Sequence, residues 1–344
     1  MMAHIGDFAP TSSVIGEARP PELSYPALFL RFLRFGMMAF GGPVAQIAMI
    51  RRELVDEERW IPSDRFNKLL AVMQVLPGPE AHELCVHLGI RAKGRLGGVL
   101  AGLGFMLPGL VLMLALAWAY TRLPIQGTVF GAIFLGVQAA VIAVIVRAIH
   151  RIGEHILLGP WLWATAIAAA VASLAGVSFW IVLLAAGAVY ALGSTGRYAL
   201  AAVVVALAIG AATLTWTGGT ALAGTTTGVR ESAPTMAALF WAGLKGGLLT
   251  FGGAYTAIPF IRHDTVGQGW MTDGQFLDGL GLSGILPAPL VIFATFVGWI
   301  SGGLAGALAM TAGMFLPAFA FSLLFYDRLE AVVEHKRLQL FLAG

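Results

Sequence analysis

Ten apolar stretches, most close to the length of a membrane-crossing helix, constrain this chain more than any other feature. They run at about 26–50, 66–90, 96–120, 126–149, 157–175, 177–193, 198–216, 236–261, 276–300 and 304–326. A transmembrane helix needs about 20 mostly apolar residues. With 58% of residues apolar and 11% charged, a soluble protein of this length would carry an adhesive surface. The expected fold is therefore all-α, a polytopic integral membrane protein of about ten transmembrane helices. The same numbers exclude disorder. The lone Cys85 excludes a disulfide scaffold and a dithiol redox centre. A net charge of +3, scattered along the chain, gives no nucleic-acid surface. Residues 1–25 are polar and lack the pattern of a signal peptide, so the first apolar stretch is expected to act as its own insertion signal.

The chain repeats itself. Phe40-Gly41-Gly42 recurs as Phe251-Gly252-Gly253 at an offset of 211, with Gly36 and Arg51 recurring as Gly247 and Arg262, and Arg34 answered by Lys245. Leu76-Pro77-Gly78-Pro79 recurs as Leu286-Pro287-Ala288-Pro289 at 210; Gly89, Gly94 and Gly104 recur as Gly298, Gly303 and Gly313 at 209. This divides the chain into a polar segment 1–25, a first repeat 26–156, connecting helices 157–235 and a second repeat 236–344. The second copy stops where the first continues, so either the native chain is longer or a partner completes the packing. If every stretch crosses, seven crossings separate the two starts, and the repeats are inverted, a common construction in secondary transporters. The Lys and Arg bias then places the N-terminus in the cytoplasm. If 66–90 and 276–300 are instead re-entrant, the count makes the repeats parallel and moves the N-terminus outside.

Both copies are broken twice. Paired glycines are costly inside a helix, and Pro43 suits the first turn of a new one, so 26–50 reads as a broken helix whose restart exposes amides to an anion. Pro77-Gly78-Pro79 and Pro287-Ala288-Pro289 form the second break, whose freed carbonyls must face protein or a wet cavity. The substrate-binding set read from these features is Arg34, Gly41, Gly42, Pro43, Gln46, Lys245, Gly252 and Gly253. Arg34 and Lys245 are cations inside apolar stretches, which usually mark function; the competing reading pairs them with Asp278 or Glu80. Glu80, Glu83 and His87 share a helix face and, with Asp278, could carry protons; they could equally form a solvated helix start. His82, Cys85 and His87 match no metal spacing, and neither a metal nor a cofactor is expected. No zinc, phosphate-loop or cysteine-pair signature indicates an enzyme.

Phe40-Gly41-Gly42-Pro43, Val55 followed by Trp60, Pro77-Gly78-Pro79 and the glycines Gly89, Gly94 and Gly97 together resemble the chromate ion transporter family. The resemblance covers about 27–150 and returns at about 236–344. It implies a bacterial-type inner-membrane protein that moves chromate, often outward, with links to sulfate. Ala254 and Ala288 depart from the family pattern in the second copy. The expected partners are a chromate or sulfate oxyanion, protons, the lipid bilayer and a second copy in a homodimer. The alternatives are a transporter or channel for another inorganic anion, and a membrane enzyme.

Overall fold

The computed structural model describes residues 19–122, 233–251, 254–334 and, with interruptions, 131–215. Helix α1 (Tyr25–Met37) starts at Ser24, whose hydroxyl accepts the Ala27 amide, with a proline in the first turn. The chain then breaks. Gly41 and Gly42 take φ of +86° and +79°, a region open to glycine at little steric cost, and the helix restarts as α2 (Gly42–Arg51), running into a π-helical turn at Arg52–Glu57. The expected break is present, and it reverses the chain. Arg31 pairs with Glu58 and lies 3.7 Å from Glu53. The rings of Phe32 and Trp60 are 6.3 Å apart. A straight helix would separate residues 31 and 58 by about 40 Å, so this segment is a hairpin.

A second hairpin follows. Helix α3 (Ser63–Met73) ends before the Pro77-Gly78-Pro79 tip, and α4 (Glu80–Arg122) leaves it. Its far ends meet at one residue, because Arg65 and His87 both bond Glu330. Helix α4 is itself folded over. Lys93 and Gly94 leave helical geometry, with Gly94 at φ +67°, so arm 80–92 packs back on arm 95–122. His82 Nε2 lies 3.2 Å from the Gly102 carbonyl oxygen, a pair that a straight helix would hold about 30 Å apart.

The second half is built from the same parts: α8 (Met236–Leu248), α9 (Ala257–Thr265), α10 (Asp273–Ile285) and α11 (Phe293–Leu324). The likeness extends to dihedral angles. Lys93 and Gly94 have φ/ψ of −150°/32° and 67°/−170°; Gly302 and Gly303 have −154°/22° and 62°/−155°. A Cβ on Gly36 would lie 2.4 Å from the Phe105 carbonyl oxygen, and one on Gly247 would lie 2.4 Å from that of Met314. Repeat-related backbones thus cross at the same stations, close enough to admit only glycine.

Between the halves, the described positions of 131–154 are helical, followed by α5 (Pro160–Leu174), α6 (Phe179–Ser194) and α7 (Tyr198–Thr215). Helices α5 and α6 pair, with Gly193 closely packed on the Trp161 ring. These helices present large apolar side chains outward, Leu184 at 70% and Leu207 at 68% exposure, as suits a lipid surroundings.

The halves pack through α4 and α11, whose contacts run in opposite sense. Gly102 touches Phe319 and Tyr120 packs on Phe296, their ring centroids 5.0 Å apart, while Gly109 abuts Ala288 of the second proline tip. After α11 the chain turns into α12 (Tyr326–Glu334), which lies against the first half. Each half has its own core, and each core is completed by the other half. Leu329 enters the core of Phe32, Phe66 and Leu84, whereas Met106, Met113 and Ala117 enter that of Phe276, Phe293 and Phe296.

Candidate functional site

The hairpin tips meet at the junction of the two halves. Gln46 is buried on α2, and its Nε2 donates to the Ala39 carbonyl of its own tip and to the Ala288 carbonyl of the opposite tip, both at 2.9 Å. On the other side the Gly78 amide donates directly to the Thr250 carbonyl at 2.9 Å. Thr250 corresponds to Ala39, and Ala288 to Gly78, in the repeat register. The same junction is therefore made twice, once directly and once through a glutamine amide. Pro77, Gly78, Pro79, Pro287 and Pro289 are all buried here, which meets the requirement that a broken backbone within an apolar layer lie inside protein.

Gly41 and Gly42 open α2 beside this junction, with Pro43 in its first turn and no side chain capping it. Helix-start amides without a partner make such a site favourable for an anion. Gly252 and Gly253 lie outside the described residues.

The two cations of the predicted set occupy repeat-related stations but do not meet. Arg34 Nη2 lies 3.4 Å from Glu53 Oε1, and Lys245 Nζ lies 2.5 Å from Asp264 Oδ2. Each pairs across its own hairpin, so neither takes the partners considered from sequence. Asp278 instead accepts the Tyr120 hydroxyl at 2.8 Å. A signal for the true partners was present, because Glu53 recurs as Asp264 at the offset of 211 that relates Arg34 to Lys245.

The acidic and imidazole residues after the first proline break are buried, not solvated. Glu80, His82, Glu83 and His87 have between 0% and 6% exposure. His82 sits among Phe105, Phe315 and Phe319. Glu80 is hydrogen-bonded by Gln74. His87 Nε2 bonds Glu330 at 2.8 Å and its ring lies 4.7 Å from that of Tyr326. Neither carboxylate oxygen of Glu83 has a hydrogen-bond partner. Burial pushes the Glu330 carboxyl up, but the hydrogen bonds from His87 and Arg65, with their charges, outweigh it and hold the group at about 2.

Tyr120, Tyr326 and Glu330 escaped the sequence reading. Yet Tyr120 and Tyr326 stand at an offset of 206, in register with Arg122 and Arg328. The stations they stack on, Phe296 and His87, are also repeat-related. Each half thus lays a tyrosine on the same place in the other half.

Comparison with known proteins agrees with this architecture. The chromate transporter family matches residues 26–192 and 237–344. A chromate transport protein of Pseudomonas aeruginosa is 68% identical over 330 residues, 95% of this chain and 79% of that relative. The chromate transport protein of Cupriavidus metallidurans is 31% identical over 88% of this chain and 74% of its own length. An uncharacterized transporter of Bacillus subtilis, YwrB, is 35% identical over 144 residues, 42% of this chain and 72% of its own length. No solved structure matches the chain. With both repeats matched, the chain belongs to the chromate transporter family and is a membrane transport protein, not an enzyme.

Proposed function

We propose that this protein is a secondary transporter that carries chromate outward across the bacterial inner membrane, binding it at the junction of the hairpin tips. The observation that carries this reading is the uncapped start of α2, opened by two left-handed glycines and tied to the opposite half by Gln46. Chromate is a compact dianion. Backbone amides of Gly42 and Val44, which have no partner within the helix, would bind its oxygens, with Gly252 and Gly253 as the second-half counterparts. Arg34 and Lys245 would compensate its charge by exchanging Glu53 and Asp264 for the oxyanion, an exchange that leaves no cation bare when the site is empty.

The membrane reading has two inverted halves. Its support is the opposite sense of the α4 and α11 contacts, together with hairpins whose ends return to one side. In this reading 26–50, 66–90, 236–261 and 276–300 are re-entrant, and full crossings are made by 95–122, 131–154, α5, α6, α7 and 303–324. Making both stretches of each copy re-entrant leaves five crossings between the two starts, which is still odd. The charge bias agrees strongly. Residues 51–95, at the base of the first half, carry eight Lys and Arg; the equivalent 262–304 carry one. The first base is therefore cytoplasmic. Moving one charge through 100 mV is worth about 2.3 kcal/mol, so a dianion gains roughly 4.6 kcal/mol on leaving a cell negative inside. Sulfate has the same shape and charge, and is expected to compete, because backbone amides distinguish the two poorly.

The test is saturable chromate uptake into everted vesicles. Arg34→Gln should abolish it while leaving membrane insertion intact; normal transport by that variant would show that the site has been misplaced. Glu53→Gln, which releases Arg34, should lower the KM for chromate.

A further inference from the structure

We propose that Glu83 is a proton-binding site of the transport cycle, and that it is the one acidic group of the first half able to couple proton movement to the tip junction. This deepens the transport reading above and rests on it. The argument begins with what the other acidic and imidazole groups already do. Asp278 is engaged by Tyr120, Glu80 by Gln74, and His87 by Glu330. Glu83 alone of this set combines 0% exposure with two carboxylate oxygens that lack any hydrogen-bond partner. An ionised carboxylate is expensive in such a place, whereas a neutral acid is tolerated. The group therefore sits there as COOH.

Its position gives the proton a consequence. Glu83 lies so close over Gly78 that a Cβ on that glycine would fall 2.4 Å from Glu83 Oε1. Gly78 is held at φ +145° and donates its amide to Thr250 of the other half. The carboxyl is thus packed on the residue that makes the direct joint between the halves. Ala318 of α11 and Thr250 of the opposite tip meet Gly78 beside it, and both are uncharged; Glu80, one turn earlier, is the titratable neighbour that acts on it. Loss of the proton in the closed junction would leave a bare anion beside Glu80. Opening the Gly78–Thr250 joint to water lets the O–H bond break, with the proton passing to solvent and the electron pair staying on the carboxylate. Closing the joint requires a proton to return. The repeat register places Leu290 and Phe293 where the first half has Glu80 and Glu83, so the second half carries no counterpart, and one proton per cycle follows.

The experiment uses the purified full chain in proteoliposomes. Chromate counterflow without any ion gradient is measured first; its absence in the wild type defeats the transport reading itself, independently of Glu83. Stimulation of chromate flux by an imposed pH gradient is measured next. The wild type should respond, and in Glu83→Gln the ratio of gradient-driven to gradient-free flux should fall to one, whatever that variant's basal rate. A Glu83→Gln protein that keeps the response, or a wild type driven by a sodium gradient and not by pH, overturns the proposal. Infrared spectroscopy decides it even if Glu83→Gln fails to insert. The wild type should show the C=O stretch of a protonated carboxyl above neutral pH, and the band should survive Glu80→Gln and Asp278→Asn. Absence of the band in the wild type, or its loss in either variant, assigns the proton elsewhere or nowhere.

Discussion

Gln46 shows how much one side chain can carry. Its amide group satisfies two carbonyls that both helix breaks leave open, one from each half. Gln46→Leu keeps the volume and removes both bonds, stranding Ala39 and Ala288. Each buried acceptor left unmade costs about 1–3 kcal/mol, so a clear fall in melting temperature in detergent is expected, together with loss of chromate flux. A variant with unchanged melting temperature would mean that the tips are not held by this residue. Gln46 was legible in the sequence only as a polar residue near the glycines. Its reach to Ala288, 242 positions away, depends on the packing of halves. The same holds for Arg34 and Lys245. Their pairing inside a helix-rich layer was foreseeable; the only pointer to their partners was the recurrence of Glu53 as Asp264 in the repeat register.

Helix α12 is short, yet it closes the first half. Leu329 fills that half's core, Tyr326 lies on His87, and Glu330 bonds both Arg65 and His87. Because the Glu330 carboxyl is held below its ordinary 4.5, at about 2, its contribution to stability is fully present above about pH 4.5 and is lost as pH falls toward about 2. Glu330→Gln should remove this dependence: its melting temperature should fall less steeply than that of the wild type over this acid range. Identical slopes would show that the ion pairs contribute nothing net. The breaks at Gly41-Gly42 and at the two proline motifs were readable because glycine and proline act locally. The fold of α4 at Lys93-Gly94 was readable as well, because Arg91, Lys93 and Arg95 interrupt the apolar pattern between 66–90 and 96–120.

The two halves interlock as whole bodies. Trp299 of the second half donates its indole N–H to Thr121 Oγ1 at 3.4 Å, while Gly102, at the other end of the same arm, meets Phe319. Cysteines placed at 121 and 299 in a Cys85→Ser background should cross-link on mild oxidation, and so should a pair at 102 and 319. Cross-linking of 102 with 299 instead would require the arms to run in parallel. The repeat was visible in the sequence as a series of matched residues. For 66–90 and 276–300 the sequence left crossing and re-entrant hairpin both open, and the hairpin in the first stretch of each copy was not read, because a hairpin and a crossing have the same apolar length.

The exchange of these tyrosines bears on how the protein is made. A ribosome delivers the first half before residues 250 and 326 exist; until each is made, the Gly78 amide lacks Thr250 and the His87 station lacks Tyr326. The early half must wait in the bilayer with its joints open until the later half arrives to close them. Closure of the first half is then gated by α12, a helix made long after the residues it covers.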